Sequence, residues 1–326
     1  MNHLNRCKQI KESQRTYRHN FICDWCWASK SVELLNYADF ATNAFWRTTI
    51  CSKSEPSASP WREVFGFSRD RQCWDCMHLV HLGFLRDITA SCLADMFQTG
   101  DLADYVNLAP GASAALVFWR VGALAEQWAK QNQLDLGAVR LTEERLNYTQ
   151  TTYPCLDSLV KAARGRVLFE YVCKICLDVE RNLPADRPAS DIYHSQLRAS
   201  MCWCLSACLS IWSKGKKPKL SQQEKEKSVW LGRSHLVCYA ALAAGALAQH
   251  QLLYKVRPKC HYFEHALDEC ALWGNNPLSQ SSFLDEDNMK SLRNLAVKCH
   301  PRTVKVTWAR RYILKKVLLW HKLKAE

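Results

Sequence analysis

Apolar residues recur at helical spacing through most of this 326-residue chain, and this pattern limits the possible folds more than any other feature. From Met77 onward they return every three or four positions, the period that buries one face of an α-helix. The sequence therefore predicts a mainly α fold, a helical array with few or no intact strands. Helices are expected over Leu79 to Leu93, Ala112 to Leu124, Leu156 to Leu183, Ile192 to Trp212, Ser228 to Leu253, Asp285 to Cys299 and Thr303 to Lys322, and short strands over Ala44 to Thr49 and Val64 to Phe67.

Changes in composition and the positions of proline divide the chain into three parts. Residues 1–72 mix polar and aromatic residues irregularly and contain several cysteines, and the stretch SKSEPSASP within them has the Ser and Pro content of a surface loop. Residues 73–257 form a helical domain, and Pro258 opens a new segment that continues to the C-terminus. We therefore expect an irregular Cys-containing segment, a helical domain over 73–257, and C-terminal helices with a basic tail over 258–326.

The chain is strongly basic, with 44 Lys and Arg against 31 Asp and Glu and a formal net charge of +13. Such a field attracts nucleic acid, anionic membrane surfaces or acidic proteins. The run SKGKKPKLSQQEKEK is typical of a solvated loop. Basic residues also crowd the C-terminus, and the candidates for contact with DNA phosphates are Lys305, Arg310, Arg311, Lys315, Lys316 and Lys322.

The C-terminal stretch can form an amphipathic basic helix. In that helix Val306, Ile313, Val317 and Trp320 lie on one face, and most of the basic residues lie elsewhere. A helix of this kind binds DNA phosphates or anionic lipid with an affinity that falls as salt rises. A helix docked on the core with a solvated basic face explains the pattern equally well.

Cysteine and tryptophan are both abundant, with 17 and 13 residues. The chain begins without the apolar region of a secretory signal, so we expect reduced thiols and an intracellular protein, nuclear or cytoplasmic. The longest uncharged apolar run, Leu236 to Ala248, has 13 residues and is too short for a bilayer, so no membrane span is expected. The tryptophans should be buried unless they line a partner surface.

Cys23-x-x-Cys26 is the spacing with which one loop supplies two ligands to Zn²⁺. Three ways of completing such a site are open: Cys73 and Cys76, which follow after 46 intervening residues, or His19, or Cys51. Other cysteines, including Cys173-x-x-Cys176 and those within MCWCLSACL, lie in apolar helical patterns where thiols pack as small hydrophobic groups. Zinc is the cofactor that the sequence suggests.

Asp75 and His78 stand three positions apart at the start of an apolar helix, in CWDCMHLVHLGFLRDI. An acid and an imidazole one turn apart can share a helix face, which suits metal or phosphate chemistry. An Asp that caps the helix beside a packed His gives the same pattern.

The surrounding residues, Asp75-x-Met77-His78 followed by Leu82-Gly83, resemble a stretch of DDE transposases with an RNase H-like core, notably the CACTA and Kyakuja-Dileera-Zisupton groups. In those families an Asp-x-x-His or Cys-x-x-His pair opens a large all-helical insertion close to the active site and the DNA. A second stretch, RPKCHYFEH, is similar to their Pro-Lys-x-His-x-x-x-His pattern, with Pro258, Lys259, His261 and His265. The resemblance implies that the domain over 73–257 corresponds to this insertion.

The last catalytic acid of these transposases is a Glu at the start of a helix, which the resemblance places at Glu286, with Asp285 and Asp287 as neighbouring candidates. Without the resemblance, three acids before a helix simply favour its N-terminus. Strand transfer needs several carboxylates around paired Mg²⁺, and the chain lacks a convincing strand bearing the first Asp. The resemblance therefore implies a vestigial site of Asp75, His78 and Glu286, with Mg²⁺ bound only if the acidic site were intact.

The sequence favours a transposon-derived, catalytically inactive remnant that binds nucleic acid without sequence specificity. The first alternative is a zinc-stabilised helical interaction module with no nucleic-acid role. The second is a gene fragment that does not fold stably, because it lacks the strands that its apolar surface requires.

Overall fold

The protein is mainly helical, as the apolar period predicts. The computed structural model describes residues 20–23, 25–50, 74–149, 151–157, 162–214, 217–282 and 292–325. Within them, isolated bridges occur but no strand. The helices with fully described bounds are α1 (Leu85–Gln98), α2 (Asp101–Tyr105), α3 (Ala114–Gln131), α4 (Ala162–Arg181), α5 (Ala189–Lys214), α6 (Gln222–Ala248), α7 (Pro258–Trp273) and α8 (Val304–Ala325). Residues 292–297, within the helix expected over Asp285 to Cys299, are also helical.

The helix boundaries follow local sequence signals. Ser113 caps α3 by accepting a hydrogen bond from the Leu116 N–H. Ser221 and Glu224 form a reciprocal capping box at the start of α6. Pro258 occupies the first turn of α7, where its missing N–H has no helical partner, and Gly274 ends that helix with a φ of 64°. The sequence therefore determines where these helices begin and end.

The long helices pack mainly against their neighbours in the chain. The most extensive pair is α5 with α6, and α4 packs on α5, α7 on α6, and α1 on α4. Gly232 of α6 allows a close approach to α7, because a Cβ atom there would lie 2.5 Å from Leu267 Cδ2. A π-helical segment, Met77–Phe84, precedes α1 and touches both α4 and α7.

Residues 20–50 form an N-terminal segment with little regular structure. The strand expected over Ala44 to Thr49 is wrong: Phe45–Thr49 is a 3₁₀ turn. The turn buries the ring of Trp46, whose Nε1 donates a hydrogen bond to the Asp39 carbonyl at 2.8 Å. This tertiary packing of one large ring overrides the strand preference of the aromatic and β-branched residues. The other strand candidate, Val64 to Phe67, lies outside the described residues.

The chain divides into two compact units, Met1–Gln280 and Ser281–Glu326. The first contains α1 to α7 and the second contains α8. Among the described residues, α6 alone is long and apolar enough to cross a membrane, with a mean hydropathy of 1.2. Core helices of soluble proteins meet the same criterion, so it is weak support for a membrane span.

The tryptophans divide between core and surface. The expectation that they are buried is confirmed for Trp25, Trp46, Trp74 and Trp212. A second group is exposed, which the expectation allows for rings that line a partner surface, and the sequence pattern did not separate the two groups because aromatic rings suit either environment. Among the described residues, the exposed rings belong to Trp27, Trp119, Trp203, Trp230, Trp273 and Trp320.

Candidate metal centre

Two cysteines and two histidines from opposite ends of the first unit meet at one point. Cys23 and Cys26 lie in a tight loop of the N-terminal segment, closed by a hydrogen bond from the Ile22 N–H to the Ala28 carbonyl at 3.0 Å. His261 and His265 lie one turn apart on α7, so their imidazoles share one face of the helix. All four ligand atoms lie within 4.8 Å of one another. This set of donors can hold a metal ion.

The separations match a tetrahedral ion. Cys23 Sγ lies 3.3 Å from His265 Nε2, and Cys26 Sγ lies 3.2 Å from His261 Nε2 and 3.5 Å from His265 Nε2. The two Nε2 atoms are 3.1 Å apart. Tetrahedral bonds of about 2.3 Å to sulfur and about 2.05 Å to nitrogen place S and N about 3.6 Å apart and two N about 3.3 Å apart. The side chains therefore surround a space of the right size for an ion.

Aromatic rings enclose the four ligands. Trp46 packs edge-on against His261 with ring centroids 4.4 Å apart, and Trp74 stacks on His265 at 6.2 Å. Trp25 contacts Trp74 at 5.4 Å. Because these rings and all four ligands are buried, the centre is screened from bulk water, and electrostatic interactions within it are strengthened.

Burial also changes the protonation of the ligands. Burial raises the pKa of the Cys23 thiol well above its ordinary value, with the neighbouring His265 opposing that rise. Burial lowers the pKa of His261 well below its ordinary value. For His265, burial acts to lower the pKa, but Cys23, Asp268 and Glu264 together outweigh it, so the pKa of His265 is raised. In the metal-free centre Cys23 therefore keeps its thiol proton, which a bound cation would displace.

A network of ion pairs supports the histidine face of α7. Arg47 of the N-terminal segment and Arg233 of α6 both contact Glu264, at 2.6 and 3.0 Å, and Arg233 also reaches Asp268 at 2.7 Å. Asp268 in turn lies 3.9 Å from His265 Nδ1. The side chain of Glu264 is completely buried, so these arginines neutralise a carboxylate beside the centre.

Cys23 and Cys26 were predicted to bind a metal. The residues that the structure places beside them differ from the additional ligands that the sequence spacing suggests. Among the described residues the partners are His261 and His265, and Cys76 is not one of them. Cys73, His19 and Cys51 lie outside the described residues. In the sequence, these two histidines stand out only through the resemblance of RPKCHYFEH to DDE transposases. Their spacing of four on a helix is the signal that marks them as a ligand pair.

Asp75 and His78 also meet, with His78 Nδ1 2.6 Å from Asp75 Oδ2. Asp75 Oδ1 accepts a hydrogen bond from the Met77 N–H at 2.9 Å, which is the role of a capping acid. Lys259, from the second stretch, donates to the His78 carbonyl at 2.6 Å. Gly83 makes room for it, since a Cβ there would lie 2.9 Å from Lys259 Cδ.

The remaining candidate residues fall in two regions. Glu286, Asp285 and Asp287 lie outside the described residues. Lys305 and Lys322 lie on α8. The other candidates for contact with nucleic acid, whose side chains on α8 are exposed, are Arg310, Arg311, Lys315 and Lys316.

Comparisons of the chain with protein-family models, with curated proteins and with solved structures found no match. Its function is therefore inferred from its own residues.

Proposed function

We propose that the protein is a zinc-stabilised helical module in which one Zn²⁺ fastens the N-terminal segment to α7. The observation that carries this proposal is the convergence of the ligand atoms of Cys23, Cys26, His261 and His265, all within 4.8 Å of one another. Two thiolates and two imidazoles are a preferred zinc ligand set, whereas Mg²⁺ and Ca²⁺ take oxygen ligands.

The zinc has a structural role in this proposal. Four protein ligands occupy every coordination position of a tetrahedral ion, whereas catalytic zinc keeps one position open for water or substrate. The ligands also join parts of the chain more than 230 positions apart, as the Cys26 to His261 separation of 235 shows. An ion at this point holds a segment with little helix or sheet of its own against the helical body.

Metal analysis of the full-length protein tests the proposal. We expect one zinc per chain after purification without added metal, and Co²⁺ substitution should give the visible absorption of a tetrahedral ion with thiolate ligands. Cys26→Ala and His261→Gln should each abolish stoichiometric zinc.

The matched control is Cys270→Ala, which removes another buried thiol from α7 that is not among the four ligands. Zinc should remain bound in that variant. Wild-type protein that carries no zinc and takes up none, or a control that loses zinc as the ligand variants do, would refute the zinc centre.

A second candidate function is nucleic-acid binding by a remnant of a DDE transposase. Two stretches resemble such transposases, and the hydrogen bond from Lys259 to the His78 carbonyl joins them across 181 positions. Exposed basic side chains on α8 and the net charge of +13 favour a phosphate-rich partner.

In this second proposal the chain binds nucleic acid without sequence specificity and does not catalyse strand transfer. Fluorescence anisotropy of a labelled DNA duplex across a salt series tests it. Arg310→Gln with Lys315→Gln should weaken binding at low salt. The slope of log affinity against log salt should fall in magnitude by roughly 0.9 for each phosphate that the variant no longer neutralises.

The control pair, Arg120→Gln with Lys227→Gln, removes two exposed positive charges from helices of the first unit and should change binding less. Equal weakening by both pairs would show that net charge alone attracts DNA. No binding at low salt would exclude this function, and nicking or joining of DNA with Mg²⁺ or Mn²⁺ would contradict catalytic inactivity.

A further inference from the structure

Three buried thiols form a second cluster, away from the Cys2His2 centre, at the junction of three helices. Cys92 comes from α1, Cys176 from α4 and Cys202 from α5, and all three side chains are 0% exposed. Cys92 Sγ lies 3.6 Å from Cys202 Sγ, which lies 3.9 Å from Cys176 Sγ. The three sulfur atoms lie within 4.8 Å of one another.

These separations fit three sulfur ligands around one ion. An ion bound in the plane of three sulfurs, at about 2.3 Å from each, places them roughly 4.0 Å apart. Met96 of α1 adds a fourth sulfur, its Sδ lying 4.0 Å from Cys176 Sγ. Thiolate and thioether donors without oxygen or nitrogen select soft cations, Cu(I) above all.

The charges around the cluster favour a thiolate within it. Hydrogen bonds from the Cys202 and Cys92 thiols, together with the Arg198 guanidinium, hold the pKa of Cys176 well below its ordinary value. Arg198 is itself completely buried. The pKa values of Cys92 and Cys202 are raised well above their ordinary value, by burial at Cys92 and by the hydrogen bonds to Cys176 and Cys92 at Cys202, so these two thiols would lose their protons only on binding the ion.

We propose that Cys92, Cys176 and Cys202 form a trigonal site for a soft monovalent cation, Cu(I), with the Met96 thioether beside it. Each thiol that becomes a ligand releases its proton to solvent, and neither copper nor sulfur changes oxidation state. The ion would join α1, α4 and α5, whereas the zinc of the proposed function joins the N-terminal segment to α7. The two sites are independent.

A competition titration of full-length, zinc-loaded protein tests the site. Cu(I) is supplied as its bicinchoninate complex under anaerobic, reducing conditions. Because the thiols are buried, the titration is made on protein refolded with Cu(I) as well as on native protein. We expect each chain to withdraw one Cu(I) from the bicinchoninate complex. The bound ion should give sulfur-to-copper charge-transfer absorption in the ultraviolet, and X-ray absorption should give the copper–sulfur distances of a trigonal site.

Alanine variants assign the ligands. Cys92→Ala and Cys202→Ala should each weaken Cu(I) binding by at least about tenfold. The controls Cys173→Ala and Cys204→Ala remove buried thiols from α4 and α5 that lie outside the cluster, and they should leave binding unchanged. Thermal unfolding of each variant verifies that it is folded. Met96→Leu conserves the side-chain volume and tests the role of the thioether without removing a thiol.

Several results would overturn the proposal. Failure of refolded protein to withdraw Cu(I), or equal weakening in the control variants, would show that the three thiols only fill the core. Release of zinc in step with Cu(I) uptake would place copper at Cys23 and Cys26 instead. Protein without zinc that still withdraws one Cu(I) through Cys92 and Cys202 would leave this site intact while refuting the zinc centre.

Discussion

Arg198 is a charged residue in the interior of the first unit. Its guanidinium donates to Asp95 at 3.0 Å and to Asp101 at 3.0 Å, with no exposed surface. Burial acts to raise the pKa of Asp95, but His194 and Arg198 hold that pKa below its ordinary value. Two buried carboxylates therefore share this cation, and its removal leaves Asp95 with His194 and Asp101 with Arg187, both of which are partly exposed.

We expect Arg198→Met to lower the free energy of unfolding by about 3–5 kcal/mol, the usual cost of leaving a buried charge without its partner. Arg187→Met is the control, because Arg187 also contacts Asp101, at 2.8 Å, but is partly exposed. It should cost about 1 kcal/mol or less. Urea unfolding measures both, and similar destabilisation by the two would show that Arg198 has no special role.

His235 makes stability depend on pH. Its ring is buried and bonded through Nδ1 to the Met201 carbonyl at 2.9 Å, and burial lowers its pKa to about 4. The unfolded chain takes up a proton near pH 6.5, whereas the folded protein does so only near pH 4. The contribution of neutral His235 is therefore complete above pH 6.5 and is lost as pH falls towards 4.

Wild-type protein should lose about 2 kcal/mol more than His235→Gln between pH 7 and pH 5, as measured by urea unfolding at the two values. His81 and the histidines of the metal centre titrate in both proteins, so their effects cancel in the difference. The same pH dependence in the variant would mean that His235 is not held neutral by the fold.

At the scale of helices, the apolar period predicted most of the first unit. The sequence indicated helices that overlap α1, α3, α4, α5 and α6, because each buries one continuous face. It did not assign α7, although Pro258 at the first turn is a typical helix start. The apolar stripe of α7 is interrupted by Glu264 and His265, which are buried for ionic and ligand contacts that a hydrophobic pattern does not record.

For the candidate metal centre, the sequence predicted the two cysteines but did not pair them with the two histidines. Cys23 and Cys26 stand close together, so their spacing alone identifies a ligand pair. Cys26 and His261 are 235 positions apart, and no local pattern links them. That pairing follows only from the way in which the N-terminal segment packs on α7.

Close packing of α6 on α7 depends on Gly232. A Cβ at this position would lie 2.5 Å from Leu267 Cδ2, and Leu267 is completely buried. Gly232→Ala should therefore cost about 1–3 kcal/mol through overpacking, despite the better helix propensity of alanine.

Gly245→Ala is the matched control on the same helix, because a Cβ there meets no atom within 4 Å. We expect it to stabilise the protein by about 0.5–1 kcal/mol. Thermal unfolding distinguishes the two, and stabilisation by both substitutions would show that Leu267 moves aside without cost.

For the whole molecule, the metal centre and the ion pairs beside it determine how the N-terminal segment is held. Among the described residues of 20–50, regular structure is limited to two 3₁₀ turns and isolated bridges, so few of their backbone groups are bonded within helices or strands. Their long-range anchors include the candidate ligands Cys23 and Cys26, the ion pairs of Arg47, and a hydrogen bond from the Tyr37 hydroxyl to the Val256 carbonyl at 3.0 Å. If the proposed zinc is bound there, its removal would take away the central anchor.

Removal of zinc with a chelator should therefore loosen this segment and leave the helical body folded. Hydrogen exchange should become faster over residues 20–50 and around His261 and His265, while the amides of α5 stay protected, and added zinc should restore the slow exchange. Arg47→Gln, which keeps all four ligands, should loosen the segment less than chelation does. Uniform acceleration through α5 would mean that zinc holds the entire first unit together. Unchanged exchange over 20–50 would mean that the aromatic and ionic contacts suffice without the ion.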